Sequence, residues 1–179
     1  IERLSRLAVD GAVDAVIGLG GGKVLDTAKA VGHSQRRPVY LIPTLASTCS
    51  GWSSVSVYYD DDHRHLGHDI WETPARALLL DPRIVFDSPI ALFVSGLADT
   101  LAKHVETRAA FARAEGPSVL GDIGALAAER CGEQVRDLGA AAVEDMRRGE
   151  RSVAWTTLAE AAVITSGLVG SFGGVRGRA

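Results

Sequence analysis

Val13-Asp-Ala-Val-Ile17 runs into Gly18-Leu-Gly-Gly-Gly-Lys23 and then into Val24-Leu-Asp-Thr-Ala-Lys-Ala-Val31. An apolar run that stops in glycines and restarts with helix-forming residues reads as strand, turn and helix. The helix then opens with unpaired backbone N–H groups, where an anion can sit. The glycines let that backbone approach a phosphate without interference from Cβ atoms, and Lys23 adds a positive charge beside it. On spacing alone the loop reads equally well as a tight strand-to-helix turn, because it is neither G-x-G-x-x-G nor a Walker A loop.

Working outward, the first half alternates. Helix is expected at 2–10, strand at 13–18, helix at 23–33 and strand at Val39–Ile42, with further strands near Ser54–Tyr59 and Arg76–Leu80. Alternation with short turns predicts a parallel sheet covered by helices. The continuous apolar texture of the first two strands predicts burial on both faces. Asp60-Asp-Asp62 reads as a polar hairpin tip. From about Pro89 the chain turns to alanine- and leucine-rich helix. Leu120, Ile123, Ala127, Cys131, Gln134 and Leu138 predict one buried helical face, and Trp155, Leu158, Ala162, Thr165 and Val169 another. The fold class is α/β: a parallel Rossmann-like sheet followed by an all-helical part, incomplete at both ends, divided as 1–88 and 89–179. The glycines from Gly167 to Gly177 read as a helix termination, and Arg147-Arg148 and Arg176–Arg178 as solvated charge.

The 179 residues are 46% hydrophobic with a net charge of −3. No apolar run stands out at the roughly 20 residues of a bilayer span, and no basic field of the kind nucleic-acid binders use is present. Neither membrane nor nucleic acid is expected as a partner. Cys49 and Cys131 lie far apart without a C-x-x-C pair, so a reducing cytoplasm is the expected compartment. A first residue other than Met and an end without capping signal read as an excerpt of a longer protein.

Three stretches could carry chemistry. Pro43–Ser56 leaves a strand at its carboxyl end, where open α/β sheets bind ligands, so Thr44, Ser47 and Ser53 are candidates to meet a phosphate or ribose. The same hydroxyls could equally satisfy their own turn. Cys49 in this loop has no histidine near it in sequence to make it a nucleophile. Asp99, within Gly96–Glu106, is either a capping charge in the first turn of a helix or a metal ligand or base facing the cleft. Leu97, Leu101 and Val105 mark that helix's expected buried side. His63, His65 and His68 could chelate a metal, or simply belong to a solvated hairpin.

Four collinear stretches together resemble the iron-containing alcohol dehydrogenase superfamily, most closely its glycerol-dehydrogenase-like branch: GLGGGKVLDTAKAVG (Gly18–Gly32), PTLASTCSGWSSVSVYYDDD (Pro43–Asp62), GLADTLAKHVE (Gly96–Glu106) and GLVGSFGGVRGRA (Gly167–Ala179). The resemblance implies a cofactor-binding α/β domain and a helical metal-binding domain, with NAD or NADP and a divalent metal between them. It places Gly20, Gly21, Gly22, Lys23, Asp26, Thr44, Ser47, Ser53, Val55 and Tyr59 along the cofactor and Asp99 on the metal. The implied reaction is hydride transfer from a small alcohol or polyol by a homo-oligomeric enzyme at full length.

Two departures bear on these expectations. Cys49 stands where glycerol dehydrogenases carry an aspartate that meets the polyol, which makes it the substrate-loop candidate. Lys103 stands where the iron enzymes carry a histidine, which favours zinc over iron. The family's histidine ligands follow the point where this chain ends, and its adenosine-binding units precede the start. The 179 residues alone are therefore expected to be inactive. The alternatives are a non-catalytic nucleotide-binding paralogue and a dehydroquinate-synthase-like cyclase.

Overall fold

In the computed structural model, residues 1–112 and 118–173 are described; the glycines Gly174 and Gly177 and the arginines 176–178 lie outside them. Helix α1 (Glu2–Asp10) leads to strand β1 (Val16–Gly20), helix α2 (Gly22–Ser34) and strand β2 (Val39–Pro43). A hairpin of β3 (Val55–Tyr59) and β4 (His65–Ile70) follows, then the short β5 (Ala77–Leu78) and helices α3 (Pro82–Phe86), α4 (Ile90–Phe111), α5 (Val119–Arg147) and α6 (Val153–Glu160).

The main sheet is parallel, in the order β1-β2-β5, with Val16 opposite Val39 and Gly20 opposite Pro43. The hairpin is a separate antiparallel pair whose register shifts between Tyr58 and Tyr59. Gly18 lies where α2 presses on the sheet, since a Cβ there would stand 2.7 Å from Ala28 Cβ. Val39, Leu41, Leu25 and Ala28 form the core beneath.

Burial corrects the expectation of a doubly covered sheet. Ile17 and Leu19 are 66% and 58% exposed, because the described helices that pack on β1 lie on the Gly18 side. Helix α1 forms as predicted yet buries no residue.

The second core gathers Phe93, Leu97, Ala142, Trp155, Leu158 and Val163 from the helical half, with Ala46 and Val85. Here two further expectations change. Helix α5 buries Gly121, Gly124, Ala128 and Cys131 while Leu120 and Ile123 stay exposed; close approach to α4 selects the small residues rather than the large ones. Helix α4 begins at Ile90 and not near Gly96. Gly96 is a contact point, not a boundary, since a Cβ there would fall 1.8 Å from Ala46 O. Leu101 and Val105 are exposed, so of the three residues expected on the buried side only Leu97 is in the core.

After α6 the helix widens into π turns at Ala161–Thr165 and Val169–Gly173, joined by Ser166–Leu168. The stretch Val153–Phe172 has a mean hydropathy of 1.3 and is long and apolar enough for a membrane span, contrary to the sequence expectation, but half of it is buried inside the fold. Trp155, Leu158, Ala162, Val163 and Val169 pack inward, as the helical spacing predicts for all but Val163, and identify it as a core helix.

Candidate functional site

The glycine loop ends β1 with Gly20 at φ +154° and caps α2 with Gly21. Thr44 N donates to Gly20 O at 3.1 Å, which brings the carboxyl ends of β1 and β2 together. A Cβ on Gly22 would stand 3.0 Å from Thr48 Oγ1 and 3.1 Å from Ser50 Oγ. Bare backbone at the start of a helix of 13 residues thus faces two hydroxyls that themselves lie 2.9 Å apart.

Ser50 opens the way into a cavity of about 290 Å³. One wall is Asp26, Cys49, Ser50, Ser53, Val55 and Val57; Lys103, Glu106 and Thr107 of α4 form another, closed by Val169 and Gly170. The first wall is held by an ion pair within α2. Lys29 is fully buried, and its Nζ lies 2.8 Å from Asp26 Oδ1 while donating to Ser53 O at 2.9 Å and Val55 O at 2.5 Å. Asp26 Oδ2 accepts from Ser50 Oγ and from Val57 N, each at 3.3 Å. Burial pushes the Asp26 carboxyl above its ordinary range, against the lowering pull of Lys29 and of these hydrogen bonds. From the other side Ser171 Oγ accepts from Ser54 N at 3.1 Å and donates to Trp52 O.

Asp99 lies in the middle of α4, so the first-turn capping role is excluded. Its Oδ1 takes the Lys103 ammonium at 3.2 Å, and Glu106 Oε2 takes the same nitrogen at 3.2 Å. Burial works to lower the Lys103 pKa, but the attraction of Cys49 once it is ionised and of the Asp99 and Glu106 carboxylates outweighs it, and the group stays above its ordinary value. The Cys49 thiol is pushed up, chiefly by burial. It is therefore a neutral wall group near neutral pH rather than a nucleophile, which needs the thiolate.

Comparison with known proteins bears on this arrangement. The sequence model of the family described as iron-containing alcohol dehydrogenase matches residues 1–82. A glycerol dehydrogenase of Thermotoga maritima is 33% identical over 179 residues, 98% of this chain and 49% of the relative. A glycolaldehyde reductase of Halobacterium salinarum is 34% identical with the same coverage. The crystal structure of a probable glycerol dehydrogenase from Sinorhizobium meliloti superimposes with a TM-score of 0.91 at 26% identity, over 97% of this chain and 50% of that one. Over its first 82 residues the chain is similar to the iron-containing alcohol dehydrogenase family. It spans about half the length of these relatives.

Two groups implied by the iron-containing alcohol dehydrogenase family can be tested against the residues. A dinucleotide fits: the first-turn amides of α2 with Gly20–Gly22 make a cradle that a single Cβ would fill, and a helix N-terminus attracts phosphate. A metal does not fit on the described residues. Among them there is no group of three or more His, Cys, Asp or Glu that could hold an ion, whereas a catalytic zinc takes about three protein ligands, and the Asp99 carboxylate holds Lys103. The histidine cluster does not chelate either: His63, at φ +62°, sets Nδ1 3.0 Å from Lys23 Nζ, while His65 meets Tyr59 edge-on and lies tilted against His68.

Most of the sequence candidates converge in the fold. Gly20–Gly22 and Thr44 meet at the strand ends, and Asp26, Cys49, Ser53 and Val55 line the cavity. Ser47 packs beside Gly96. Tyr59 is half exposed on the hairpin, away from the cavity wall. Glu106, read beside Asp99 as a possible cleft carboxylate, lines the cavity, whereas sequence reading missed Lys29, Ser50 and Thr107. The signal for Lys29 was available: a lysine three residues from Asp26 lies on the same helical face, next to the apolar Leu25 and Ala28.

Proposed function

We propose that the protein is an NAD(P)-linked oxidoreductase acting on the CH–OH group of a small alcohol or polyol, with residues 1–88 as the cofactor-binding part and 89–179 as the metal-binding part. The observation that carries this reading is the continuity of the site. The bare N-terminus of α2 touches Ser50, and Ser50 lines the cavity on which Lys103 of α4 also opens. The similarity of residues 1–82 to the iron-containing alcohol dehydrogenase family supports it, as do relatives whose names are glycerol dehydrogenase and glycolaldehyde reductase.

In this reading the amides of Gly21 and Gly22 hold the diphosphate, and Lys23 offsets its charge. Thr44, Ser47 and Ser53 donate to phosphate or ribose, Asp26 and Val55 bound the nicotinamide end, and Tyr59 stands at the outer margin. Cys49 presents an uncharged group to the substrate. The bound cofactor supplies the hydride acceptor; the chain orients the two reactants and keeps bulk water out. Metal dependence enters through the family resemblance alone, since among the described residues Asp99 would be one ligand where a catalytic zinc takes about three. Zinc is favoured over iron because Lys103, not a histidine, stands one turn beyond Asp99, although the family's name points to iron.

The test is dinucleotide-linked absorbance in the full-length polypeptide, supplied with zinc or with iron, across a panel of small diols and polyols. No change with either dinucleotide on any of them rejects the dehydrogenase reading. One observation favours a second reading, a nucleotide-binding module without catalysis: Lys103 already occupies the Asp99 carboxylate. Tight dinucleotide binding with no turnover and no bound metal selects it.

A further inference from the structure

We propose that Lys29 is the positioning residue of the cavity, fixing the chain from Ser50 to Val57 in the one shape that presents its hydroxyls to a dinucleotide. The inference rests on the reading of this cavity as the cofactor site.

An ammonium has three hydrogens to donate, and Lys29 Nζ has three oxygen partners: Asp26 Oδ1, Ser53 O and Val55 O. The two carbonyls belong to residues on either side of Ser54, so a single cation pins the entry into β3 from within. Asp26, oriented by that cation, passes the constraint on through Oδ2 to Ser50 Oγ and Val57 N. Its own carbonyl accepts from Ser56 Oγ at 3.0 Å, which in turn accepts from Trp71 Nε1 at 2.8 Å. On the α2 side, the first wall is therefore held through one side chain that is itself closed to solvent and does not line the cavity. A buried cation is costly unless every hydrogen is satisfied. Here the cation is held by two hydrogen bonds to the Ser53 and Val55 carbonyls and by the Asp26 ion pair, and those same contacts shape the wall.

The experiment substitutes Lys29→Met in the full-length polypeptide and reads two quantities. Hydrogen exchange is followed peptide by peptide, and NAD and NADP affinities are measured by calorimetry well below the thermal midpoint. We expect protection to fall across 47–59 while peptides of α5 and α6 keep theirs, and dinucleotide affinity to fall at least tenfold. Val85→Ala, a core truncation in α3, serves as the control for general destabilisation and should leave the affinity within about twofold. Faster exchange everywhere, with affinity lost in proportion to the control, reduces Lys29 to a structural residue and overturns the proposal. So does a loosened loop with unchanged affinity. Should Lys29→Met not fold, Lys29→Arg keeps the charge but changes its shape, and must show the same loop-selective loss. A parent protein that binds neither dinucleotide refutes the cofactor reading itself, a result distinct from any behaviour of the variants.

Discussion

Replacing Gly96 with alanine sets two rules against each other. Helix propensity favours Gly96→Ala, because glycine in a helix interior costs about 1 kcal/mol relative to alanine. Packing opposes it: the new Cβ would lie 1.8 Å from Ala46 O, 2.8 Å from Ala46 C and 2.9 Å from Ser47 Cα. An ordinary carbon–oxygen approach is about 3.3 Å, so α4 and the loop must part by about 1.5 Å. All three atoms are backbone, and no rotamer change relieves them. Overpacking typically costs ~1–3 kcal/mol and more when backbone has to move. After the propensity gain we expect a net loss of about 2 kcal/mol or more, which lowers the thermal midpoint by about 4–8 °C for a chain of this size. Gly139→Ala is the matched control, since its Cβ would meet only Val135 Cγ1 at an ordinary 3.7 Å; it should raise the midpoint. Thermal unfolding followed by circular dichroism decides. If Gly96→Ala is as stable as the parent or more so, the close approach of α4 to the loop is wrong.

Other expectations follow from single contacts. Trp155 is fully buried, with its ring 4.8 Å from Phe86 and 5.8 Å from Phe93; Trp155→Ala should cost about 3–5 kcal/mol in urea unfolding. Gly22→Val fills the space before Thr48 and Ser50 and should weaken dinucleotide binding at least tenfold, about 1.4 kcal/mol by calorimetry, with little change in thermal midpoint. Burial lowers the pKa of His33 from its ordinary 6.5, so the unfolded chain takes up the proton more readily than the fold does. Stability from the neutral ring is then complete above that value and is lost as pH falls below it. The urea midpoint should drop between pH about 7.5 and about 5, and drop less in His33→Gln.

The strand, glycine loop and α2 were legible because their signals are local: an apolar run, residues without Cβ, then helix formers. The start of α4 was not. Gly96 looks like punctuation in a sequence, whereas its reason is Ala46, fifty residues earlier in the chain, pressing on the helix. The buried face of α5 was misjudged for a related reason, because small residues set a close helix–helix contact while Leu120 and Ile123 look more like core. Asp26 was found through its motif, but Lys29 was not. Nothing beside it in sequence announces that its ammonium reaches carbonyls 24 and 26 positions away.

Ser53 and Ser54 stand back to back in the chain. The carbonyl of Ser53 is tied to α2 through Lys29 and the amide of Ser54 to the last π turn through Ser171. One peptide thus serves as the pin of a joint whose leaves are the sheet and the helices. Withdrawing either leaf takes from the buried Lys29 ammonium two of its three oxygen partners, or from the Ser54 amide its acceptor. Partial opening is therefore costly from both sides, and the two parts should melt as one cooperative body rather than in sequence.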